Sequence, residues 1–73
     1  MSATLTIFEL CGHIERPIGE ARSVAEARQI CRGELAARDD ADAVRAVNDI
    51  GEHLVAFERG PGGEIVDFSA LTA

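Results

Sequence analysis

A chain of 73 residues, 47% of them apolar, with thirteen acidic against seven basic side chains and a net charge of −6, has the makings of one small folded domain. That size leaves little room for a substrate cleft of the usual several hundred Å3, and the negative field repels phosphate backbones, so neither an enzyme nor a direct nucleic-acid binder is expected. Every basic residue is Arg, so no lysine amine is present for Schiff-base chemistry.

The first ten residues, MSATLTIFEL, lack the basic flank and unbroken apolar stretch of a secretion signal. No run approaches the ~20 apolar residues that span a bilayer. Cys11 and Cys31 are therefore read as free thiols of a reduced, cytoplasmic protein without membrane contact.

Residues 4–10 are rich in β-branched and aromatic types and stop at Cys11-Gly12, which predicts a strand. Residues 13–16 suit a short returning strand that ends at Pro17, with 17–22 as a loop or a frayed continuation of it. A helix is predicted over 23–38: Ser23 followed by Glu26 forms a capping box, and Val24, Ala27, Cys31 and Leu35 repeat on one apolar stripe. Arg22 with Glu26 and Glu34 with Arg38 are spaced as helix-surface ion pairs, worth about 0.2–0.5 kcal/mol each.

Asp39, Asp40 and Asp42 oppose the helix dipole and end the helix near Arg38 or Asp39. Residues 43–47 and 53–58 predict two strands joined by a turn at 48–51; a helix over 41–50 also has apolar spacing, but the Asn-Asp and Gly punctuation favours a hairpin. Gly60-Pro61-Gly62-Gly63 is a turn leading to a last strand at 64–68 and a short tail. The predicted class is α+β: a small antiparallel sheet of roughly three to five strands with one helix packed on one face, in the order β(β)αβββ.

Several clusters invite chemistry. Cys11-Gly12-His13 pairs a thiol with an imidazole, and Cys11, His13, Cys31 and His53 are four zinc-type ligands, but only the first two are close in sequence. The carboxylates at 39, 40 and 42 lack the spacing of a calcium loop, and the glycines at 60–63 lack the Lys and Ser/Thr of a phosphate loop. Arg28 and Arg32, one helical turn apart, suit an anion unless a carboxylate from the sheet lies beside them. Each cluster has a plainer structural role, and neither metal nor other cofactor is expected.

The wide excess of carboxylates remains. It suggests a non-enzymatic protein that modulates or inhibits a larger protein by occupying a basic, nucleic-acid-binding surface, with Asp39, Asp40, Asp42, Glu34 and Glu26 as contacts. Short, acidic, lysine-free and with one helix on a small sheet, the chain resembles in gross character the small proteins of phages and mobile elements, anti-CRISPR proteins among them. That likeness of type, carried by no motif, implies an inhibitor of a large effector. The alternatives are a homodimer or accessory module that pairs through an exposed strand edge, and a redox or metal sensor built on Cys11 and His13.

Overall fold

The computed structural model of the chain describes residues 4–69. It contains β1 (Leu5–Cys11), β2 (Ile14–Ala21), α1 (Val24–Ala37), β3 (Ala43–Val47), β4 (His53–Arg59) and β5 (Ile65–Asp67). The strands form one antiparallel sheet in the order β2-β1-β3-β4-β5, and α1 lies across a single face, chiefly over β3 and β4. The α+β class and the expected element order are thus observed, and 43–47 is a strand rather than a helix. The tail expected after Phe68 lies, beyond Ser69, outside the described residues.

Strand alternation decides which side chains meet the helix. Leu5 and Ile7 of β1, Val44 and Ala46 of β3, and Val55 and Phe57 of β4 point to α1 and are buried with Ala27, Cys31 and Leu35 of the helix. Alanine and cysteine at two of these three helix positions let the helix approach the sheet closely. Val24 has the same azimuth but is 44% exposed, because it stands in the first turn at the end of the layer. The sequence stripe therefore includes one residue too many.

Both ends of α1 are satisfied by side chains. At the N-terminus Ser23 Oγ accepts from the Glu26 amide at 3.1 Å, and Glu26 Oε1 accepts from the Arg22 amide at 2.9 Å, completing the predicted capping box. The last turn holds no basic residue. Arg59 supplies the missing positive charge from β4: its Nη2 donates to the carbonyls of Leu35 and Arg38, both at 2.6 Å, and its Nε donates to the Ala41 carbonyl at 3.2 Å.

β2 runs past Pro17 to Ala21, so of the two expectations for 17–22 the continued strand is the one observed. Edge position makes this possible, since an outer strand tolerates a residue without an N–H. Phe8 pairs with Pro17 and Ile7 with Gly19, which leaves Ile18 as the extra residue of a β-bulge. The β1–β2 hairpin turns through Gly12 and His13 alone. Gly12 takes φ +63° while His13 does not take a positive φ, the sign pattern of a type II′ turn with glycine first.

Candidate functional site

The residues singled out as contacts fall into two separate places. Asp39, Asp40 and Asp42 follow the C-terminus of α1, and Glu34 lies one turn before them; Glu26 is in the first turn, about 12 Å of helix away from Glu34. The acidic end of the domain therefore comprises Glu34 and the 39–42 loop, without Glu26.

Packing at that end gives several of these carboxylates internal partners. Asp42 Oδ2 accepts from the Gly12 amide at 2.8 Å, while its backbone donates to the Leu10 carbonyl and accepts from the Arg59 amide, both at 2.8 Å. Asp42 thus ties the loop to the β1–β2 turn and to β4. Glu34 Oε1 accepts from Arg38 Nε at 2.7 Å, the spacing expected on a helix surface. Asp39 and Asp40 are exposed and make no hydrogen bond or ion pair among the described residues.

Beneath this loop lies a carboxylate that the sequence reading did not single out. Glu9 is 1% exposed and sits on the helix-facing side of β1 in register with Leu5 and Ile7. Its Oε1 accepts from Arg16 of β2, including Nε at 3.1 Å, and Arg38 Nη1 stands 3.0 Å from Oε2 at an angle outside hydrogen-bond geometry. Period-two alternation from Leu5 and Ile7 is the signal that places Glu9 inside. Its partners come from two other elements, β2 and the end of α1, which no local pattern displays.

The thiols beside this end are not activated. Partial burial, followed by the negative charges of Glu9 and Asp40, pushes the Cys11 thiol above its ordinary value, and Arg16 offsets only part of this. Burial pushes the Cys31 thiol up to about 11. A reactive cysteine needs the opposite shift. His13 is exposed in the turn, and among the described residues no three His, Cys, Asp or Glu side chains are grouped to hold a metal ion.

A groove of about 300 Å3 opens on the flank of α1, lined by Ala25, Arg28, Gln29, Arg32 and Phe57. The Arg28 and Arg32 guanidinium carbons lie 5.6 and 5.4 Å from the Phe57 ring centroid, a cation–π arrangement that covers a core aromatic. The sheet carboxylate that accounts for Arg28 is Asp67 of β5, which pairs with it directly. The two arginines are therefore occupied with the fold before any anion arrives.

Among the described residues no helix is long and apolar enough to cross a membrane. No protein-family model, curated protein or solved structure matches the chain.

Proposed function

We propose that this protein is a non-enzymatic binding protein that docks its acidic end on a basic surface of a larger partner and blocks it. The observation that carries this reading is where the arginines go. Arg16 and Arg38 turn onto Glu9, Arg28 onto Asp67, and Arg59 onto the carbonyls at the end of α1. Three arginines pair with Glu9, Glu34 and Asp67, which leaves ten of the thirteen carboxylates against Arg22, Arg32, Arg45 and Arg59. The net charge of −6 thus stands on carboxylates without an arginine partner among the described residues, Asp39 and Asp40 among them.

Asp39 and Asp40 are the exposed carboxylates of that end with no internal role, and Asp42 holds the loop that presents them. A basic groove built for phosphates is the complementary surface. Two free thiols, neither activated, fit work in the reducing cytoplasm. An inhibitor of the type that phages and mobile elements direct against large effectors is the finer form of the proposal.

Affinity capture from a native extract, with the chain and its Asp39→Asn/Asp40→Asn variant as parallel baits, tests the reading. One nucleic-acid-binding protein should be retained by the natural chain, retained poorly by the variant, and displaced by its own nucleic acid. Equal retention by both baits, or a partner that holds nucleic acid and this chain together, would overturn it.

A further inference from the structure

The helix covers one face of the sheet, and no described element lies on the other. On that second side alternation places Phe8 and Leu10 of β1, Arg45 of β3, Glu58 of β4 and Val66 of β5, followed by Phe68. Phe68 continues the ladder opposite Ala56, whose carbonyl accepts from the Phe68 amide at 2.8 Å. Ala43 and Ala56 are buried yet stand apart from the core cluster under the helix, as residues sunk between larger neighbours on this second face. The face is thus a band of half-buried apolar side chains crossed by Arg45 and Glu58, with Glu15 and Glu20 on its β2 edge opposite Leu10 and Thr6.

Arg45 and Glu58 make no ion pair among the described residues, although they stand diagonally on adjacent strands, Arg45 opposite Ala56 and Glu58 opposite Ala43. We infer that this second face binds a second copy of this chain, sheet against sheet, about a two-fold axis parallel to the strands and midway between β3 and β4.

Charge and register select that axis. It lays β3 over β4 of the partner subunit and β1 over its β5, so Leu10 meets Val66 of the partner subunit and Phe8 meets Phe68 of the partner subunit. Arg45 then lies over Ala56 of the partner subunit, within diagonal reach of Glu58 of the partner subunit, and symmetry makes this ion pair twice. An axis through β3 would instead stack each Arg45 on its own copy.

The overlap takes in β1, β3, β4 and β5 and leaves β2 outside it. Four strands at about 4.8 Å and about 17 Å of strand length give roughly 300–350 Å2 in projection, which side-chain relief raises toward the low end of specific interfaces, so the dimer is one of modest affinity. Edge pairing, the other route to a dimer, is blocked. β2 carries Glu15, Pro17, the bulge at Ile18 and Glu20, all devices that keep an edge from gaining a strand, and β5 is three residues long.

Light scattering and sedimentation of the full chain at roughly 100 μM decide the matter, protein-interface dimers being populated there. The natural chain should show twice its 7.8 kDa mass. Arg45→Glu and Glu58→Arg should each halve it, and the double swap should restore the dimer. If Arg45→Glu fails to fold, Glu58→Arg and the double swap carry the same comparison. A monomeric natural chain would overturn the inference, as would a dimer indifferent to the single variants or a folded double swap that stays monomeric.

Discussion

Arg59 on β4 and Leu35 in the last turn of α1 are joined by a 2.6 Å hydrogen bond from guanidinium to carbonyl, and the same Nη2 reaches the Arg38 carbonyl at the same distance. A strand residue thereby closes a helix that has no cationic side chain of its own in its last turn. Replacing Arg59 with Met keeps the apolar stem and removes the donors. Hydrogen bonds from a charged group contribute about 1.5–3 kcal/mol each, so Arg59→Met should lower stability by about 2–3 kcal/mol. Arg59→Lys should recover only part of it, because an ammonium lacks the planar fork that spans several carbonyls. Urea unfolding of the three proteins measures both numbers.

The buried carboxylate gives an asymmetric prediction. Arg38→Ala leaves Glu9 inside with Arg16 alone and should destabilise the fold, because a buried charge loses one of its two partners. Glu9→Leu removes the buried charge itself and leaves two arginines that are 60% and 36% exposed and can turn to water. It should be close to neutral. Thermal unfolding of both variants checks the order, and a Glu9→Leu protein weaker than Arg38→Ala would refute the assignment.

Acid stability should depend in part on Asp67. Hydrogen bonds from Ser69, then Arg28 beside it, hold this carboxyl at about 2, below its ordinary 3.8. A depressed folded value means the contribution is fully present above pH 3.8 and is lost as pH falls toward 2. A carboxyl-carbon NMR titration should place the Asp67 midpoint near 2, and Arg28→Ala should move it upward.

At the alkaline end the sign reverses. The Cys31 thiol rises from 9.0 to about 11 through burial, so the unfolded chain loses that proton first. Its contribution is whole below pH 9.0 and declines as pH climbs toward 11. In the native state at pH 8 a thiol reagent should modify Cys11 slowly and Cys31 only on unfolding. Rapid labelling of Cys11 would restore the thiol-sensor alternative.

Local signals in the sequence were sufficient for the elements and insufficient for what joins them. The Ser23–Glu26 capping box, the 27–31–35 spacing and the turns at 48–51 and 60–63 each act within a few residues, and the helix and strands they announce are observed. Pro17 left two readings of 17–22 open, loop or continued strand, because its effect depends on whether the strand is an edge, which only the sheet order decides. Arg59 and Glu9 were missed for a related reason: their partners are 18–24 and 7–29 residues away. The acidic end was found by composition, but its separation from Glu26 and the tie from Asp42 to Gly12 required the fold.

An acidic end that docks by charge must answer to salt. Binding of the captured partner should be titrated by calorimetry across ionic strength, with the natural chain and Asp39→Asn/Asp40→Asn. Screening beyond a Debye length of about 10 Å at 0.1 M predicts affinity that falls steeply with salt, and a shallower fall from a weaker start for the variant. Affinity that is flat in salt, or identical for the two chains, would rule out docking through the acidic end.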